Sequence, residues 1–154
     1  MSNKKLIGSI GTLILLSIFF IRIPVLSFEF ADATYYSRQD AFDLSWIHSV
    51  EKEEWVEHYV IEDNHLNLES TKFKTFGAGV PSTAEHVEIK DGFVHMKINQ
   101  SYNLLNLTVS ENVSSTIFLG GREFKLYEYG ETYDIVVISV KKISIWQQVK
   151  GEFW

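Results

Sequence analysis

Residues 42–61 read FDLSWIHSVEKEEWVEHYVI, and this stretch decides the fold class of the chain. Apolar and polar residues alternate on both sides of the charged group EKEE at residues 51–54. A period of two residues is typical of a strand with one buried face. The stretch therefore predicts a β-hairpin with residues 51–54 as its loop. In that register Trp46 faces Tyr59, and the apolar residues fall on one side of the hairpin.

The rest of the body repeats this alternation. Asp-Gly at residues 91–92 and Gly-Gly at residues 120–121 separate short apolar-polar runs, as the tight turns of hairpins do. Residues 143–149 predict a last strand after a break at residues 141–142. No stretch of the body has a clear helical period. We therefore expect one all-β domain, either a single β-sandwich or a small barrel, of about eight to ten short antiparallel strands.

The N-terminal segment has a different character. Residues 6–21 (LIGSIGTLILLSIFFI) carry no charge and follow two lysines at residues 4–5. Basic residues, then an apolar run, then an acidic body are typical of a targeting segment. We therefore expect one N-terminal hydrophobic helix. Residues 1–27 are assigned to a membrane anchor or signal segment, and residues 28–154 to an extracytoplasmic all-β domain.

Whether this leader is retained or cleaved stays open. Ala-Asp-Ala at residues 31–33 has the form of a cleavage site but lies far beyond the apolar run, and Val-Leu-Ser at residues 25–27 is a weaker match. An uncleaved signal-anchor would give a single-pass protein of the cell membrane, with its C-terminal domain outside the cytoplasm. Cleavage would give a secreted protein.

The charge of the chain is distributed unevenly. The formal net charge is −6, and Lys4, Lys5 and Arg22 are the only charged residues before Glu29. Beyond them, 11 basic and 20 acidic residues leave the body with a net charge of −9. An acidic body argues against nucleic-acid binding, which needs basic surface for the phosphates. There is no cysteine, so an exported domain must be held together by its core alone.

No common catalytic signature is present in the sequence. The Walker loop, HExxH, GxSxG and dinucleotide GxGxxG motifs are all missing. We therefore predict no cofactor, no metal site and no catalytic residue. In the predicted hairpin, however, His48 faces Glu57, and a carboxylate beside a histidine fixes its tautomer and raises its basicity. Such a pair suits a ligand contact or a general base, but it can also be purely structural.

A glycine-rich loop at residues 76–81 (FGAGVP) is the second notable segment. Its backbone amides could form a nest for a carboxylate, although a plain connecting loop is the alternative. A meander would bring this loop near the hairpin. The predicted ligand-binding pocket therefore combines two groups of residues: His48, Glu51, Glu57 and Tyr59 from the hairpin, with Gly77, Ala78, Gly79 and Pro81 from the loop.

These two segments together resemble a bacterial family called domain of unknown function 1850. The resemblance rests on HSVEK at residues 48–52, on Glu57 and Tyr59, and on FGAGVP at residues 76–81, with Val80 where the family pattern has leucine. Members of the family are small proteins with an N-terminal hydrophobic segment. They are often encoded beside tripartite ATP-independent transporters of the TAXI type, whose binding proteins capture organic acids. The resemblance implies no established activity.

The sequence therefore supports one main functional hypothesis and two alternatives. The main hypothesis is a membrane-anchored extracytoplasmic accessory or binding module, associated with a TAXI-type organic-acid transporter. Its partners would be the membrane, through the N-terminal helix, and transporter subunits or an anionic small molecule. The alternatives are a small extracytoplasmic hydrolase that uses His48 and Glu57, and a purely structural envelope protein.

Overall fold

The computed structural model describes residues 20–77 and 79–154. The hydrophobic helix expected over residues 6–21 lies, apart from its last two residues, outside this range. Among the described residues, no helix combines the length and the apolar character needed to cross a bilayer.

The described part of the chain is mostly β, as the alternation predicts. It contains one short α-helix, α1, at Ile145–Lys150 and a 3₁₀ turn at Leu126–Glu128. Twelve strands are formed within the described residues, more than expected. They are β1 (Arg22–Glu29), β2 (Thr34–Ser37), β3 (Ala41–Ile47), β4 (Glu54–Glu62), β5 (His65–Phe73), β6 (His86–Lys90), β7 (Phe93–Tyr102), β8 (Leu104–Thr108), β9 (Thr116–Leu119), β10 (Arg122–Lys125), β11 (Ile135–Ser144) and β12 (Glu152–Phe153).

The strands form two sheets. The smaller sheet has five strands in the order β12-β2-β1-β11-β8, and the larger has seven in the order β10-β9-β3-β4-β5-β7-β6. Neither sheet closes on itself among the described residues, so the barrel alternative is wrong for this part of the chain. The strand pairs are antiparallel as expected, except that β12 runs parallel to β2.

One hydrophobic core lies between the sheets. Phe28 of the five-stranded sheet and Phe42 of the seven-stranded sheet meet edge to face, with ring centroids 6.1 Å apart. Buried apolar side chains from both sheets belong to the same cluster. Each sheet therefore covers the apolar face of the other, which satisfies the requirement that an amphipathic sheet bury one face.

Strand β1 extends across residue 27, where the sequence predicts the end of the N-terminal segment. A boundary after residue 27 divides this strand, which lies between β2 and β11. Val25, Leu26, Ser27 and Phe28 are all buried. A strand buried on both faces is a continuous apolar run without alternation, so in the sequence it merges with the leader that precedes it. The first strand of the described sheets therefore begins at Arg22.

The β3–β4 hairpin exists, but its register differs from the prediction. Trp46 lies opposite Trp55, not Tyr59. The His48 amide donates to the Glu53 carbonyl at 2.8 Å, so the tight loop between them begins two residues earlier than expected. Lys52 adopts the left-handed φ of 57° that this turn requires. The parity of the strands is unchanged, so the apolar residues still share one face.

Two predicted turns are confirmed. Asp91 and Gly92, with φ of 52° and 78°, join β6 to β7. Gly120 and Gly121, with φ of 57° and 77°, join β9 to β10. Positive φ at both central residues is the geometry that matches the twist of a two-residue hairpin.

The prediction of a final strand over residues 143–149 is wrong. Strand β11 continues through residues 141–142 to Ser144, and α1 begins at the next residue. The Ser144 hydroxyl accepts from the Gln147 amide, and the Gln147 side chain accepts from the Ser144 amide. This capping box ends the strand and starts the helix, and a six-residue helix is too short to show a clear period.

We expect Phe28→Ala to lower the free energy of unfolding by about 3–5 kcal/mol, because it leaves a large cavity in a fully buried position. Urea unfolding followed by tryptophan fluorescence measures this loss. Phe118→Ala is the matched control, since Phe118 is 41% exposed and should cost less than about 1 kcal/mol. Equal losses for the two variants would contradict the assignment of Phe28 to the shared core.

Candidate functional site

A cleft of about 450 Å³ opens between the two sheets. One wall comes from β3 and β4 of the seven-stranded sheet. The other comes from β8, the edge strand of the five-stranded sheet, and from the loop that follows it. The cleft is accessible because the five-stranded sheet ends at β8. Its lining residues are Leu44, Trp46, His48, Ser49, Glu57, Asn106, Leu107, Thr108, Val113 and Ser115.

His48 lies at the mouth of the hairpin loop, just after β3. Its ring stacks on Trp55, with centroids 5.7 Å apart. Its Nδ1 contacts the carboxylate of Glu51, and the amides of Val50 and Glu51 approach the same nitrogen at 3.3 and 3.5 Å. The two amides can donate only to a bare Nδ1 and their contacts are long, whereas the much nearer carboxylate needs a proton on that nitrogen, so we assign the ring proton to Nδ1. This assignment leaves Nε2 as the ring nitrogen with a free lone pair.

Gly77 packs directly over this pair. A Cβ added to Gly77 would overlap the carboxylate of Glu51, whose Oε2 atom is buried. The glycine therefore allows the loop backbone to approach the carboxylate closely. Through this contact the glycine-rich loop supports Glu51, and Glu51 in turn orients His48.

Glu57 is the acidic group of the cleft, and it is held from behind by a tyrosine. The hydroxyl of Tyr59 donates to Oε2 of Glu57 at 2.6 Å. Burial raises the pKa of Glu57, and the hydrogen bond from Tyr59 opposes this shift only in part. Burial and the charge of Glu57 raise the pKa of Tyr59, and the same two causes raise that of Tyr102. Burial thus makes ionisation of Glu57 less favourable than that of a carboxylate in water.

The predicted site residues thus form two connected groups instead of one pocket. His48 and Glu57 both line the cleft, although they do not lie directly opposite each other as predicted, because His48 is opposite Glu53. Tyr59 is buried behind Glu57, and Glu51 and Gly77 lie behind His48.

The remainder of the predicted loop does not line the cleft. Gly79 has a φ of +84° and open space where a Cβ would be, and Pro81 is half-buried away from the cleft. Ala78 lies outside the described residues. The loop therefore contributes to the site through Gly77 and its contact with Glu51.

Of the ten residues that line the cleft, only His48 and Glu57 are predicted from the sequence, and the wall opposite the hairpin is missed entirely. Asn106, Leu107, Thr108, Val113 and Ser115 come from β8 and its following loop. Strand β8 reaches the cleft because it pairs with β11, far along the chain. Alternation along β8 predicts a strand but not its partner, so no local signal identifies these residues.

A second histidine–carboxylate pair lies on the outer face of the same hairpin. Nδ1 of His58 is 2.6 Å from Oδ1 of Asp43, and Nε2 is 4.0 Å from Oε2 of Glu69. All three side chains are partly exposed to solvent, by 39–48%. In the described ranges no group of three histidine, aspartate or glutamate side chains is arranged to hold a metal ion. His58 therefore serves as a natural control for His48.

We expect Glu57→Gln to stabilise the protein at pH 8 and to have little effect near pH 4. A raised pKa in the folded state means that the stability from Glu57 is fully present below its ordinary pKa of 4.5 and is lost as the pH rises through the folded value. The glutamine stays neutral and can still accept from Tyr59. Thermal melts of both proteins across this pH range measure the effect.

Glu123→Gln, at an exposed position on β10, is the control and should change stability equally little at every pH. A Glu57→Gln variant that is less stable than the natural protein at pH 8 would be incompatible with a raised pKa.

We expect Gly77→Ala to displace the Glu51 carboxylate from His48 while the fold is kept, because the overlapping group is the end of a flexible side chain. The Nδ1-protonated tautomer of His48 should then be lost, which ¹⁵N NMR of the imidazole detects. Gly79→Ala is the control for backbone strain, because its added Cβ meets no other atom. It forces an alanine into a left-handed conformation, at about 1–2 kcal/mol, yet it should leave the tautomer of His48 unchanged.

The comparisons with known proteins support the resemblance drawn from the two motifs. Residues 42–126, more than half of the chain, match the family model described as Domain of unknown function (DUF1850). Apart from Ala41 at the start of β3, the matched range contains every strand of the seven-stranded sheet together with β8, so it includes both walls of the cleft. No curated protein and no solved structure matches the chain. The chain belongs to the DUF1850 family.

Proposed function

We propose that this protein is a membrane-anchored extracytoplasmic binding module that takes a small organic acid into the cleft between its two sheets. The observation that supports this proposal most directly is the cleft between the two sheets. Its volume of about 450 Å³ is typical of small-molecule sites. It combines apolar side chains from both walls with polar ones, of which His48 and Glu57 are the two ionisable groups, and such a combination gives both affinity and orientation.

The chemistry of the two polar groups favours an acidic ligand. A protonated Glu57 can donate a hydrogen bond to a carboxylate, and His48 can donate from Nε2 once it is protonated. The chain carries a net charge of −6, so long-range electrostatics repel anions. Recognition of an organic acid must therefore rest on local donors, and the raised pKa of Glu57 lowers the free-energy cost of protonating the carboxyl group that would repel the acid most strongly.

Attachment to the membrane through residues 6–21 is part of the proposal. Their apolar sequence after Lys4 and Lys5 supports an anchor. The position of β1 argues against cleavage, because either candidate site would remove part or all of it. Cleavage after residue 33 would remove β1 entirely, including the fully buried Leu26 and Phe28. An intact chain is therefore favoured over a secreted one.

A TAXI-type tripartite transporter is the proposed partner. The support is the family resemblance, since the transporters encoded beside such proteins import organic acids. A module that holds an organic acid at the outer membrane surface would act as an accessory to that uptake. The acidic body could also contact a basic patch on a transporter subunit.

We expect titration calorimetry with a panel of short mono- and dicarboxylic acids to show saturable binding of at least one member. His48→Ala and Glu57→Ala should weaken that binding at least about tenfold, the loss of roughly one charge-assisted hydrogen bond. Glu57→Gln should retain it and flatten its dependence on pH, because the glutamine amide donates at every pH.

His58→Ala is the matched control, since it removes a carboxylate-paired histidine from the outer face of the same hairpin. It should leave binding unchanged. An absence of binding across the panel, with a lower melting temperature in His48→Ala, would replace the proposal by a purely structural role for the cluster.

A hydrolase is the second candidate, and one observation favours it. The carboxylate of Glu51 on Nδ1 of His48 is the arrangement that orients a histidine as a general base. Among the described residues no hydroxyl is hydrogen-bonded to Nε2 of His48, so the base would have to act on water. Ester hydrolysis that is lost in His48→Ala and reduced in Glu51→Gln would support catalysis. An inactive natural protein would leave binding as the function.

Retention of the leader gives a separate prediction. Intact-mass measurement of the protein extracted from membranes should give a chain that still contains residues 6–21. The physical reason is that β1 begins at Arg22 and supplies core residues to the fold. A mature chain that begins after residue 27 or residue 33 would contradict the anchor.

A further inference from the structure

Two segments of the chain contain no acidic residue, although the body as a whole is acidic. They are residues 1–28 and residues 135–151. The first includes most of β1, and the second includes β11 and α1. Because β1 pairs with β11, the fold places residues 22–28 of the first segment beside β11 of the second. The structure thus contains one region from which carboxylates are nearly absent.

One end of this strand pair carries apolar side chains that are exposed to solvent. Arg22 lies opposite Ser144, and α1 begins at the next residue, Ile145. Phe20 is 82% exposed and Trp146 is 50% exposed at this end, and Ile21 and Ile23 are also exposed. We call the exposed end formed by Arg22, Ile23, Lys142 and Trp146 the basal face, which Phe20 and Ile21 join to the apolar run.

The charged groups of the basal face are basic. Arg22 and Lys142 are exposed, and no described residue forms a salt bridge with either of them. The neighbouring Lys141 is engaged by Glu29 further along β1. Aromatic and aliphatic groups beside lysine and arginine are the composition of protein surfaces that rest in the headgroup layer of a membrane.

We propose that the basal face docks on the surface of the bilayer that holds residues 6–21, with Arg22 and Lys142 on the headgroups of anionic lipids. This inference rests on the anchoring part of the proposed function. The sequence supports this placement of the domain, because the apolar run ends at residue 21 and β1 begins at Arg22. With no linker, the first residue of the sheet lies at the membrane surface.

The same geometry fixes the position of the cleft relative to the bilayer. The other end of β11, at Ile135, lies nine residues from Ser144, which is about 30 Å along the strand from the basal face. The β8 residues of the cleft pair with that far end, Thr108 with Ile135 and Leu107 with Val136. Docking of the basal face therefore directs the cleft away from the lipid and toward solutes.

The experiment uses the full chain, which contains no cysteine and so accepts single labelling sites. An environment-sensitive fluorophore is attached at Trp146→Cys or Lys142→Cys on the basal face, and at Ile135→Cys as the control at the opposite end of β11. Each protein is reconstituted into vesicles of phosphatidylcholine, with or without phosphatidylglycerol, that carry lipids with a spin-label quencher near the headgroup. Thermal melts verify that the labelled variants are folded.

We expect the probes at residues 142 and 146 to be quenched at least about twofold more strongly than the probe at residue 135, with a further increase when phosphatidylglycerol is present. Arg22→Gln should remove most of that increase without releasing the protein from the vesicles. Equal quenching at both ends of β11, in protein that still floats with the vesicles, would overturn the docking and leave the anchor intact. Protein that fails to float with the vesicles would overturn both.

Discussion

The packing around Trp55 is the constraint on which the candidate site depends. The indole stacks on Phe73, with centroids 4.5 Å apart, and on Trp46 and His48, each at 5.7 Å. Its Nε1 atom donates to the hydroxyl of Thr71 at 2.6 Å, so a buried polar group has its partner. This hydrogen bond joins β4 to β5, and the stacking fixes β3 against β4. The register of the hairpin follows, and with it the meeting of His48 and Glu51 in the loop.

Much of the fold follows from local sequence, and the exceptions have identifiable causes. Alternation predicts the mostly β character, and Asp-Gly and Gly-Gly predict two hairpins that the structure contains. The hairpin register could not be predicted, because two loops that differ in position by two residues leave the same apolar face buried. Strand β1 could not be separated from the leader, since both are continuous apolar runs. Helix α1 depends on a cap at Ser144 that the strand pattern before it conceals.

The candidate site shows the same division. The two-residue alternation of the strands predicts His48 and Glu57 on one face, and both residues line the cleft in the structure. The role of Gly77 as the support of Glu51 depends on a close approach of backbone to carboxylate, which a glycine in the sequence permits but does not locate. The opposite wall of the cleft could not be predicted from local sequence patterns. Strand β8 reaches the cleft through its pairing with β11, and such long-range pairing leaves no periodic signal in either strand.

The place of β1 in the five-stranded sheet has a consequence for the order of folding. Its ladder partner β11 follows more than a hundred residues later, with Arg22 opposite Ser144. During synthesis β1 leaves the ribosome early and must wait, with its hydrogen-bonding groups unpaired on one side, until nearly the whole chain is available. The seven-stranded sheet is built from strands between these two and can assemble first. Pairing of β1 with β11 joins strands more than a hundred residues apart and so carries a large loop-closure cost, and the cleft has its second wall only once β8 has paired with β11.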